Sequence, residues 1–384
     1  MRILLAIICC LTLLSACSTP SDERVQQAGF ITLLGADTLA AEHVVVSDNT
    51  IEATVMLRTP STSLRRYTMN VNEAGGIERL ETIVTTFTDG EQPASRSVLV
   101  SSDSGYTLTS YEGGEETSRT LAAPVTALPF LDMIHWPFDQ VLPRAYSSAQ
   151  DVYEQPLLSG RRAQTFEIRR LSADSMTIKH PFRGTMGVTV DDVGQIMVLD
   201  AGNTTRKLRV RRVESVDVEA LAAYFSELDK TGSAFGPLSG RGETLATVNE
   251  ANIRIDFGTP SKRGRTIFGN IVPWGEVWRT GANRATHFET DQDLTIGDVS
   301  VPAGTYTLFT IPESEGGTLI INTQTDQGGT TYNSELDLGR VSMTRTQLDD
   351  VVEVFNISIE EEASSHRLQI AWDQSAFSVP VQIN

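Results

Sequence analysis

Cysteine runs out early in this chain. Its three cysteines, Cys9, Cys10 and Cys17, all precede residue 18, so nothing beyond them can build a disulfide framework or a thiolate metal site. The remainder must hold together by burying apolar surface, and it is long enough to bury more than one core. Long apolar runs are missing too: after Cys17 no stretch approaches the roughly 20 residues that cross a hydrocarbon layer. Positive charge is short, with 31 Lys and Arg against 49 Asp and Glu and a formal net charge of −18. Both halves of the chain are acidic. That argues against a nucleic-acid partner, which needs a basic face, and suits a surface protein kept soluble by its charge. Histidine is scarce, and His43, His135, His180, His287 and His366 include no i,i+4 pair and no His-x-His. A zinc site would have to assemble from distant segments. There is no G-x-S-x-G elbow, no P-loop and no dinucleotide fingerprint, so the motifs imply no metal and no cofactor, and the reading leans away from catalysis.

What is present begins at the N-terminus. Arg2 supplies a small positive region, Ile3 to Leu14 form an apolar run, and "LSAC" ends at Cys17. The run is too short to span a bilayer and reads as a signal segment. The small-residue site ending in cysteine resembles the lipobox of bacterial lipoproteins. That resemblance implies cleavage after residue 16 and lipidation of Cys17, with the membrane as a partner through the attached acyl chains. Ser18 stands where retention at an inner membrane would call for Asp, so the expected location is the outer membrane, facing the periplasm or the surface.

The polar stretch over 17–29 reads as a lipidated cysteine and flexible tether. From 30 to about 213 short alternating runs are broken by turn signals such as "NEAGG", "SSDSG" and "EGGEE", which predicts an antiparallel β-meander. Residues 125–146, "VTALPFLDMIHWPFDQVLPRAY", interrupt it as a short helix or plug lying against the sheet. "TTRKLRVRRVE" (204–214) alternates Leu208 and Val210 with Lys207, Arg209 and Arg211, one face apolar and the other a solvated or anion-facing basic face. A helix follows over 215–232, with Asp217 as N-cap and Leu221, Tyr224, Phe225 and Leu228 inward. The whole of 30–230 is then one domain, possessing by architectural analogy the outline of half-barrel lipid and lipoprotein carriers and an apolar concavity. Gly- and Ser-rich residues 231–243 form a linker. Residues 244–384 hold eight or more short strands, which predicts an antiparallel β-sandwich, with Pro380 placing the last strand at an edge. The fold class is therefore mainly β.

Within the second domain, "PSKRGR" and "IFG", "VWRTGAN", "VPAGTYTLFTIP", "LIIN" and the closing "WD" and "FSVP" occur in order. Over roughly 240–384 they resemble the bacterial family known as domain of unknown function 2911. The resemblance implies a β-rich fold and a cell-envelope setting, and no activity. One departure is "DQGGTTYNSE", where Tyr332 alone remains of an aromatic pair.

The densest chemistry is "WGEVWRTGANRATHF" (274–288). Gly281 and Asn283 accept positive φ cheaply and make a tight turn after Thr280. Arg279 can stack on Trp274 or Trp278 and satisfy loop carbonyls as a structural pin, in which case its removal costs a few kcal/mol. Alternatively its fork clamps a carboxylate or phosphate. Tyr306 completes the candidate set. His287 alternates with Phe288 and points to solvent. Asp291, Asp293 and Asp298 surround a hairpin turn better explained as an acidic loop than as a calcium site. Two functions stand: a non-catalytic envelope lipoprotein binding an apolar or anionic ligand or a partner, and an envelope hydrolase working with paired carboxylates roughly 5–9 Å apart.

Overall fold

The structure, a computed structural model, describes residues 25–87, 92–103, 105–325, 327–362 and 365–383. The expected signal segment, with Cys9, Cys10 and Cys17, lies outside the described residues. Among those described, no helix is long and apolar enough to cross a membrane.

Period-two alternation over 26–213 produces one sheet of 15 strands. The first eight, Gln26–Leu34 through Glu115–Leu121, pair with their neighbours in sequence. The remainder run from Leu128–Pro129 to Leu208–Val213, and this last strand pairs antiparallel with the first, Gly29 opposite Val213. One pairing is parallel, Leu128–Pro129 beside Tyr153–Ser159. An isolated bridge from Ala122, just after Glu115–Leu121, reaches Arg162 at the start of Arg162–Arg170, and the curled sheet does not close into a barrel. Pairing already begins at Gln26, opposite Val46, so the last residues of the expected tether belong to the sheet.

Helix α1 (Trp136–Ser147) fills the curl. Trp136, Phe138, Val141 and Leu142 share one core with Phe30, Tyr67 and Phe166 of the strands. Two buried carboxylates fix it there. Glu42 accepts the backbone N–H groups of His135 and Trp136 at 2.9–3.0 Å, satisfying donors that a helix start leaves free. Asp139 accepts from the Ile196 amide at 2.9 Å and from Arg212 at 2.7 and 2.8 Å. The expected apolar concavity is thus occupied by the chain's own plug. The spaces beside Phe130 are small, about 30 Å³ next to Phe138 and about 110 Å³ lined by Leu80, Leu99, Leu108 and Leu158, below the roughly 300 Å³ of an ordinary ligand pocket.

Helix α2 (Val218–Lys230) covers the opposite face, and Asp217 caps it by accepting from the Ala220 amide at 2.9 Å. Its inward stripe matches the expected one in part. Val218 and Ala222 are buried with Ala41, Met56 and Leu64, Leu221 and Phe225 pack half-buried on the same cluster, and Tyr224 is 59% exposed. The small buried Ala222 and Ser226, at i and i+4, let the helix lie close to the sheet, which turns the larger side chains to its flanks.

The second domain is a nine-stranded sheet folded over a separate core. Its first strand, Ser239–Val248, begins inside the stretch expected as linker. Four segments expected as separate strands merge in pairs into Asp337–Glu362 and Ser365–Ile383. The latter is not an edge strand, because it pairs with Asp337–Glu362 on one side and Leu294–Ile296 on the other. Pro380 is tolerated because the first ladder stops at Ser378, and its carbonyl accepts from Gly297 at 2.8 Å. His287 is buried, 8% exposed, contrary to expectation. The outer face of its strand is roofed by the loop after residue 322: the neighbouring Thr307 donates to the Gln324 carbonyl and accepts from Gln327.

The two modules are clasped at "SKRGR". Ala36 donates to the Arg263 carbonyl at 2.9 Å. The Arg263 guanidinium pairs with Asp37 at 2.9 Å, donates to the Phe235 carbonyl at 2.7 Å and lies 3.7 Å over the Phe235 ring. Gly35, at φ +64, touches the Arg263 carbonyl so closely that a Cβ would collide with it.

Candidate functional site

The corner at 274–288 is built by backbone and hydroxyl groups. Trp278 exchanges two backbone hydrogen bonds with Thr310, at 2.7 and 2.9 Å. Its indole stacks 6.1 Å from Trp372 and meets the edge of Phe355 at 5.2 Å. Thr280, Gly281 and Asn283 all take positive φ, as a tight turn requires. Thr280 is fully buried, donating to Thr310 at 3.2 Å and accepting at its carbonyl from Thr286. Trp274 is stacked on Phe268 beneath the Arg345 guanidinium, 5.3 Å away. Tyr306 lies in the sandwich core and donates to the Pro302 carbonyl at 2.9 Å, outside the site described next. Tyr332 packs on Phe309 and donates to Asp337.

Arg279 does none of the pinning expected of it. It stacks on no indole, and among the described residues it has neither ion pair nor hydrogen bond. Its Nε is buried without a partner, and burial lowers the guanidinium pKa. Its stem rests against Gly329. The charged end faces a cleft of about 830 Å³ between the two modules.

That cleft is cationic in an acidic protein. Arg183, Arg206 and Lys207 line it from the first module, Arg265 and Arg279 from the second, and Asp200 is its one lining carboxylate. Asp132, behind the wall, binds both Arg183, at 2.7 Å, and Arg206. Burial raises the Asp132 pKa, but these two arginines outweigh burial and hold it below the usual range. Lys207, Arg265 and Arg279 have no such counter-ion in the lining. Lys207 sits at φ +52, a conformation a non-glycine residue adopts at some cost. Its pKa is lowered first by burial, then by Arg265 and Arg279. Asn203, Asn270 and Asn283 add amide donors to the lining.

Sequence alternation places Lys207 on a basic face, but nothing in the local pattern joins it to Arg265 and Arg279. The clasp at Arg263 lies between those segments and helps to bring them together. Asp291 and Asp293 are spent on Asn252 and on the Ala303 amide. Among the described residues no group of three or more His, Cys, Asp or Glu is placed to hold a metal. A second groove of about 580 Å³ crosses the strands around Leu245, Asn252 and Thr305, but its Arg254 is already bonded to Glu243 and Glu289.

Residues 239–381 match the family described as protein of unknown function, DUF2911, the region to which the motifs pointed. No curated protein matches the chain. Among solved structures, a DUF1089 family protein from Pseudomonas aeruginosa is 13% identical with a TM-score of 0.31, covering 43% of this chain and 91% of its own. A botulinum neurotoxin type C, described for its interaction with two ganglioside molecules, is 9% identical with a TM-score of 0.12, covering 94% and 89%. Likenesses this weak carry no argument about fold or function.

Proposed function

We propose that this is a lipoprotein of the cell envelope, anchored at an outer membrane through acylated Cys17, that binds an anionic ligand without transforming it. The observation that carries the binding role is Arg279, a guanidinium with no partner in a cleft lined by four further cations. Arg279 is half-buried, its Nε fully so and without a partner among the described residues, and a cleft that gathers such partly desolvated cations is suited to a counter-charge from outside. The hydrolase reading needs two convergent carboxylates. The cleft offers Asp200 alone, and its carboxylate accepts from the Gly202 amide at 2.7 Å. The apolar-ligand reading has less support, because α1 occupies the curl and the apolar pocket lined by Leu80, Leu99 and Leu158 is only about 110 Å³.

Two measurements test the proposal. Thermal melting of the mature protein should rise with added anions over salt-matched controls, and the rise should vanish in Arg279→Met. Membrane fractionation should find the Cys17→Ser protein released from membranes. A Cys17→Ser protein that stays membrane-bound refutes the anchor, and melting indifferent to every anion refutes the binding role.

A further inference from the structure

Resting on that reading, the geometry points to a ligand class: we infer that Lys207, Arg265 and Arg279 receive a phosphate-type anion, a phosphomonoester or pyrophosphate group bearing at least two negative charges. The three come from separate segments, a turn of the first module and two loops of the second, so they approach the cleft from more than one direction. Each retains free donors. Lys207 gives one N–H to the Gly202 carbonyl at 3.1 Å and keeps the others. Arg265 spends its Nε on the Lys262 carbonyl at 2.9 Å and part of one Nη on the Ser261 carbonyl. Arg279 has both Nη groups unbonded among the described residues, while its Nε is buried. A carboxylate is planar, fills one fork and carries one charge, leaving the charge of the other two lining cations unneutralised. A phosphate presents its oxygens tetrahedrally and with more charge, so each cation can take its own oxygen. The lining agrees, since Asn270 and Asn283 offer further donors and Asp200 is the lone carboxylate. The strained Lys207 backbone is explained in the same way, as the means of turning an ammonium into the cleft.

The test is titration calorimetry of the mature wild-type protein with inorganic pyrophosphate, citrate and acetate at one ionic strength. Sedimentation with vesicles of phosphatidylcholine, with and without phosphatidic acid, runs in parallel. Pyrophosphate should bind and acetate should not, with citrate weaker. Arg279→Met and Lys207→Met should each weaken pyrophosphate by about tenfold or more, the loss of one charge-assisted hydrogen bond, while circular dichroism confirms folding. Binding to free pyrophosphate alone assigns a soluble phosphate, and recruitment to phosphatidic acid that Arg279→Met abolishes assigns a lipid headgroup; both support the inference. Citrate binding as tightly as pyrophosphate, with the same dependence on Arg279, overturns the phosphate assignment and leaves the anion-binding role standing. No response to any anion overturns both.

Discussion

At the scale of single residues, Arg279 and His180 show how a side chain's surroundings decide its role. Arg279 touches no carbonyl and no carboxylate, so replacing it should not destabilise the fold. Arg279→Met keeps the apolar stem and removes the charge, and its melting midpoint is expected at or above that of wild type. A midpoint several degrees lower would mean that the guanidinium supports the corner after all. His180 sits between Phe130 and Phe166, with ring centroids 5.3 and 4.8 Å away, and its Nδ1 accepts the Phe182 amide at 3.1 Å. Burial, then Arg183, push its pKa from 6.5 down to about 4. The folded state therefore binds fewer protons than the unfolded chain between those values, and stability falls as pH drops through that window. Chemical denaturation from pH 7 to pH 4 should show this fall, and a His180→Gln protein should show a shallower one. An identical slope would mean that His180 is not held neutral. Neither residue's surroundings were legible in sequence: Arg279 was recognised as a motif residue, but its partnerless state depends on what the fold leaves around it.

At the scale of elements, legibility followed the range of the interactions. The Asp217 cap, the positive φ of Gly281 and Asn283 and the alternation of Leu208 and Val210 against Arg209 and Arg211 are set within a few residues, and all appear as read. Long-range decisions were not readable. Which of the expected α2 residues turn inward is decided by the sheet beneath it. The burial of His287 depends on a loop some forty residues later, and the place of Pro380 depends on where a neighbouring ladder ends. The "SKRGR" clasp is a fourth case: its Gly and Arg are visible as a family motif, yet the contacts of Arg263 with Asp37 and Phe235 lie across the chain. Gly35→Ala would place a methyl against the Arg263 carbonyl at a φ that L-residues disfavour. Its calorimetric trace should separate into two transitions, one per module, and its affinity for pyrophosphate should fall. One unchanged transition would show that the clasp does not couple the modules.

For the molecule as a whole, two β modules without a disulfide present each other with the walls of one cationic cleft, although the chain carries a net −18. The mainly β class, the meander and the sandwich could be read from alternation and turn signals. The cleft could not, because it belongs to neither module and its cations are dispersed between residues 183 and 279. The overall acidity hid it, since Asp and Glu on the remaining surface outweigh a local positive site. The most direct measurement is native mass spectrometry of the mature protein extracted in detergent from its own membranes. Wild type should carry a bound species of defined mass that is lost in Arg279→Met, with both proteins bearing the lipid mass on Cys17. Wild-type protein without any bound species, or the same species retained by Arg279→Met, would contradict the account.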